Sequence, residues 1–92
     1  MNDESIKKLA EEIRRDFQIP PYFKDEGLVN YILEGEAELL TLVPYADIEE
    51  DKTYRMLLKN YVNYAYYHRV NDWYTNYAAM KLSWQLRKEV TT

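Results

Sequence analysis

The stretch that decides the fold is KTYRMLLKNYVNYAYYHRV, residues 52–70. Tyr54, Leu57, Leu58, Tyr61, Val62 and Ala65 recur in it at helical spacing and form one apolar face. Asp51 stands just ahead of them as an N-cap. The apolar series Val62, Tyr66, Val70, Trp73, Tyr77, Met80 and Trp84 then continues in phase, and Asn71-Asp72 offers a second cap part-way along it. This predicts either two helices, about 52–70 and 72–88, or one long helix bent near Asn71. β-Branched residues are scattered and no Asn-Gly or Asp-Gly turn occurs, so no strand is expected.

Prolines at 20, 21 and 44 divide the rest of the chain. In ESIKKLAEEIRRDF, the residues Ile6, Leu9, Ala10, Ile13 and Phe17 keep helical spacing, and Asp3 or Ser5 is positioned to cap a helix over about 4–17. Pro20-Pro21 forbids its continuation, which makes IPPYF an extended connector with apolar side chains to dock. DEGLVNYILEGEAELLTLVP follows, with Asp25 as the expected N-cap and Leu28, Ile32, Gly35, Leu39 and Leu42 as one stripe over about 25–43. A glycine inside a helix costs about 1 kcal/mol against alanine. Gly35 in mid-stripe therefore points to close helix packing at that position. The expected architecture is one all-α domain over residues 1–92, a small bundle of four helices, the last two being continuous if the chain bends at Asn71.

At 92 residues such a chain buries a limited core. It has no cysteine, so neither disulfides nor thiolate metal sites contribute, which fits a cytoplasmic origin. The charged N-terminus shows no secretory pattern, and no apolar run is long enough to span a bilayer. A net charge of −4 opposes binding to a phosphate backbone. His68 stands without a nucleophile, a helical histidine partner or a cysteine, so neither a triad nor a zinc site is expected. The acidic run Asp47, Glu49, Glu50 and Asp51 lacks the ligand alternation and central glycine of a calcium loop. No phosphate-binding glycine loop is present. No catalytic, cofactor or metal residue is expected, and the chain reads as a non-enzyme.

The aromatics are the unusual feature. Residues 61–77 hold six tyrosines and a tryptophan. On a helical wheel Leu58, Val62, Ala65 and Tyr66 share one side, Tyr67, Tyr74 and Ala78 fall nearly opposite, and Tyr64 lies between. One exposed tyrosine needs no explanation. A set on two faces of one small domain suggests a surface that is covered on assembly, since tyrosine packs its ring and keeps a polar tip. Tyr64, Tyr67, Trp73, Tyr74 and Tyr77 are the expected contact residues. Arg69, on the core side of the wheel, is either paired with an acid on another helix or on another subunit, or released to solvent by a bend.

Three segments together resemble the head–tail connector family of tailed phages and prophages: the helix carrying an apolar stripe through Gly35, the tyrosine-rich LLKNYVNYAYY, and the aromatic helix from Asp72 through Tyr77 to Leu86. The resemblance spans roughly residues 17–88. It implies an all-α adaptor made in the host cytoplasm and placed in the virion neck. It implies a homo-oligomeric ring of about twelve subunits, docked on the portal protein and receiving the next neck or tail-completion protein. DNA would pass through without sequence-specific binding. The closing KEVTT would correspond to a tail used against the portal. The rival reading is a small helical regulatory, DNA-binding or antitoxin-like domain, which would require a basic recognition helix.

Overall fold

In the computed structural model, which describes the backbone of residues 1–91 and the side chains of residues 1–89, five helices follow one another. They are α1 (Asp3–Asp16), α2 (Asp25–Leu40), α3 (Lys52–Tyr66), α4 (Val70–Asn76) and α5 (Ala78–Thr91). The all-α expectation stands, with five helices in place of four. α3 is the hub: it packs on each of the other four helices, most extensively on α2.

The buried face of each long helix follows the sequence stripe. α1 buries Ile6, Leu9, Ala10 and Ile13; α2 buries Leu28, Ile32, Gly35 and Leu39. α3 buries Tyr54, Leu57, Leu58, Tyr61, Val62 and Ala65. Burial of such side chains contributes about 1.5–3 kcal/mol each, and it is the main term holding these helices together. Gly35 meets α3 closely. A Cβ placed there would lie 2.7 Å from Leu58 Cδ1 and 2.7 Å from Tyr61 Cδ1.

Caps differ from those expected in three helices, α1, α2 and α4. Asn2 caps α1, its side chain accepting from the Ser5 amide at 2.8 Å, so neither Asp3 nor Ser5 is the cap. α2 begins after Lys24, which makes no side-chain cap, and Asp25 sits inside the first turn, where its charge suits the positive helix end. Asp51 caps α3 by accepting from the Tyr54 amide at 3.1 Å.

Two helix ends carry the same device. After α1, Gln18 takes φ +54°, its amide donates to Arg15 O, and the Ile19 amide donates to Arg14 O at 2.9 Å. After α3, His68 takes φ +59°, its amide donates to Ala65 O, and the Arg69 amide donates to Tyr64 O at 2.8 Å. Both are Schellman closures with a left-handed residue where glycine is usual. The second one stops α3 at Tyr66, earlier than residue 70. α4 then starts at Val70 after Arg69, so Asn71-Asp72 is not its cap. A further break at Tyr77 separates α4 from α5.

Charged groups fasten the elements. Arg14 reaches Pro20 O (2.6 Å), Phe23 O (2.7 Å) and Asp25 (2.7 Å), which ties the IPPYF connector to α1. Arg55 of α3 grips Glu12 of α1 with two nitrogens, at 2.8 and 3.2 Å, and Lys59 adds a contact to Glu12 at 2.8 Å. The Arg55 hydrogen bonds, with help from Lys59 and against partial burial, hold the Glu12 carboxyl down to about 2. Among the described residues no helix is long and apolar enough to cross a membrane.

Candidate functional site

The residues expected to form a contact surface come from the end of α3, the Schellman turn and α4. The structure divides them. Trp73 is completely buried. Its Nε1 donates to Leu57 O at 3.2 Å, and its ring meets Tyr61 edge-on at 5.0 Å. This corrects its assignment as an intersubunit contact: α4 lies against α3 and turns Trp73 into the core.

Tyr64 and Tyr77 are half-buried and face each other, ring centroids 5.9 Å apart and nearly perpendicular. Asn76 donates to the Tyr64 hydroxyl at 3.2 Å. These three join α3 to α4 within one subunit while leaving one edge outward.

Tyr67, Arg69 and Tyr74 are exposed, Tyr67 at 59% and Tyr74 at 37%. Arg69 lies outside the core because α3 has already ended, and its Nε donates to Asp72 at 2.6 Å. The wheel that put Arg69 on the buried side assumed an unbroken helix. Burial, together with the Glu38 carboxylate, pushes the Tyr74 hydroxyl up to about 12, so it stays a hydrogen-bond donor at neutral pH. Lys81 of α5 lies over both the Trp73 and Tyr74 rings, at 4.5 and 4.7 Å from their centroids.

Tyr64, Tyr67 and Arg69 come together around one cleft of about 570 Å³, closed by Asn63, Asp72 and Asn76. Its walls offer ring faces, amides and one ion pair. Such a lining suits contact with another protein surface: aromatic and arginine side chains dominate binding energy at interfaces, and amides supply adaptable hydrogen bonds. His68 sits exposed at the turn beside it, where its role is the left-handed backbone closure. Among the described residues no group of three or more His, Cys, Asp or Glu is placed to hold a metal ion.

The chain matches no protein-family model, no curated protein and no solved structure.

Two features escaped the sequence reading. Asp51 does more than cap α3. It is buried, it accepts from Trp84 Nε1 at 2.8 Å, and Lys88 lies 3.1 Å from it. Burial pushes its carboxyl up, but the Trp84, Tyr54 and Lys88 donors outweigh this and hold it below its usual value. Trp84 also stacks on Tyr54 at 5.9 Å. Asp51 thus docks α5 on α3. The one signal for it was the tryptophan in the apolar series, 33 residues beyond an acid that already had a local role.

The second is apolar surface away from the tyrosines. Leu82 and Leu86 of α5 are exposed, as is Leu33 of α2.

Proposed function

We propose that this chain is a structural adaptor of a tailed-phage neck. Its copies form a ring between portal and tail components, and DNA passes through the lumen. The observation that carries the reading is the exposed aromatic surface at the α3–α4 turn, Tyr67 with Tyr64 and Arg69 around one cleft and Tyr74 exposed elsewhere on α4, left uncovered by a subunit whose core is already filled. Tyrosine and arginine on an exposed surface are what side-by-side packing uses. The connector-like order of segments over residues 17–88 supports the neck in particular. The net charge of −4 suits a lumen that DNA must cross without adhering.

Negative-stain imaging of the concentrated protein tests this reading. Annular particles with an open centre are expected. A field of monodisperse monomers, together with a gene neighbourhood free of portal, capsid and tail genes, would overturn it.

A further inference from the structure

Helix α5 is joined to the bundle differently from the other long helices. α1, α2 and α3 each bury a full stripe of side chains. Among the described side chains of α5, residues 78–89, Trp84 alone is buried. Polar ties hold the helix at two points. Near its start, Lys81 lies over the Trp73 and Tyr74 rings of α4. Around Trp84, Lys88 reaches Asp51 at 3.1 Å, Arg87 reaches Thr53 Oγ1 at 3.4 Å, and the Tyr45 hydroxyl donates to Lys88 O at 3.1 Å.

Tyr77, the single residue between α4 and α5, is built as a pivot. Its backbone leaves the helical region at φ −108° and ψ 9°. Its ring is set edge-on against Tyr64 of α3 at 5.9 Å, a contact that does not involve α5. Trp73 pins α4 to α3 from the inside. The chain is thus anchored up to residue 77 by groups that stay in place whatever α5 does.

The two oxygens of Asp51 have separate tasks. Oδ1 accepts from the Tyr54 amide at 3.1 Å and caps α3. Oδ2 accepts from Trp84 Nε1 at 2.8 Å and meets Lys88 at 3.1 Å. One atom therefore gathers two charge-assisted contacts that close α5 on the bundle.

We propose that α5 is a strap: it lifts and closes as one unit about Tyr77 while the other four helices stay packed, and Asp51 Oδ2 is its latch. Elements held by few buried groups open at a lower free energy than the whole fold. A helix of 14 residues freed from its neighbours is marginal in water, so the lifted strap unwinds and exposes its amides. Lifting also uncovers the face of the Tyr54 ring on which Trp84 stacks, 5.9 Å away with planes 6° apart. The device belongs to the single subunit and does not rely on ring formation.

Native-state hydrogen exchange of the whole chain tests this. In the parent, the amides of residues 81–89 are expected to share one protection factor, at least about tenfold below that of residues 57–62 in α3. Two substitutions separate unit opening from global unfolding. Glu12→Gln weakens the pairing of α1 with Arg55 of α3, which is the same whether the strap is open or closed. It should lower α3 protection by about 5–30-fold and leave that of α5 unchanged. Asp51→Asn keeps an oxygen for the α3 cap but turns an amide N–H on Trp84 and Lys88. It destabilises the closed state relative to both the open and the unfolded ones, so α5 and α3 should lose protection by the same factor, about 10–100. Trp84→Phe removes the donor without touching the cap, should act in the same direction, and replaces Asp51→Asn if that variant does not fold. Parent α5 protection equal to that of α3, or falling with it in Glu12→Gln, would overturn the strap. Protection that grades steadily down towards Glu89, the mark of fraying, would do the same. Unchanged α5 exchange on breaking the Asp51–Trp84 bond would overturn the latch.

Discussion

Replacing Gly35 by alanine sets two effects of opposite sign against each other. Alanine in a helix interior is favoured over glycine by about 0.8–1.0 kcal/mol. If Gly35 faced solvent, Gly35→Ala would stabilise the protein by about that amount. Here the new methyl carbon would stand 2.7 Å from Leu58 Cδ1, 2.7 Å from Tyr61 Cδ1 and 3.0 Å from Tyr61 Cγ. The leucine methyl can swing away. The tyrosine ring cannot do so cheaply, because its base is the crowded part and its face is pinned edge-on to Trp73 at 5.0 Å. Forcing a methyl into a filled core costs about 1–3 kcal/mol. With the propensity gain subtracted, a net loss of about 0–2 kcal/mol remains, and a domain of this size converts the upper end of that into a fall in Tm of roughly 8–15 °C. Urea unfolding followed by far-UV circular dichroism measures it as a lower midpoint at unchanged slope. A Gly35→Ala protein that is more stable than the parent would refute the claim that α2 and α3 meet at this residue.

Other outcomes follow from the same geometry. His68→Gly should stabilise by about 0.4–1 kcal/mol, since the left-handed backbone at +59° suits glycine; a loss in thermal unfolding would mean that the imidazole makes a contact worth more than the strain. Asp51→Ala removes a cap worth about 0.5–2 kcal/mol and leaves the Trp84 Nε1–H buried without its acceptor, a further 1–3 kcal/mol or so. A red-shifted tryptophan emission should accompany the drop, as α5 comes off α3. Glu12 has its pKa depressed in the fold, so its contribution is present above the ordinary carboxylate value of 4.5 and is lost as pH falls towards about 2. The full shift would correspond to about 3 kcal/mol, and screening at this partly exposed site leaves about 1–2 kcal/mol. Glu12→Gln should remove that amount at pH 7 and flatten the acid limb of stability between pH 4.5 and 2, as read by chemical denaturation across pH.

The three long helices were legible because each has one continuous apolar face between polar residues, and burial selects that face whatever the neighbours are. The Gly35 position was legible for the same reason: a helix-weakening residue at the centre of a buried stripe has few uses other than letting a neighbour approach. The end of α3 was not legible. The left-handed closure that stops it uses His68, and nothing in the residue type advertises that backbone. Extending α3 to residue 70 carries the helical wheel across a break. Arg69 then falls on the core side when it is exposed, and Trp73 is offered as a contact although the apolar series already contains it. The Asp51–Trp84 tie depends on how α5 is placed in space, which short-range spacing does not encode. Within the aromatic set, Tyr67 and Tyr74 are the two tyrosines that remain outside.

The most direct test is sedimentation velocity of the chain from about 1 µM to several hundred micromolar, a range that spans weak to moderate association, beside a Tyr67→Ser/Tyr74→Ser variant whose melting temperature is checked in parallel. A sedimentation coefficient that climbs with concentration for the parent, and stays at the monomer value for a variant that still folds, is the predicted result. A parent that sediments as a monomer throughout, or a variant that loses its fold as readily as its assembly, would contradict the account.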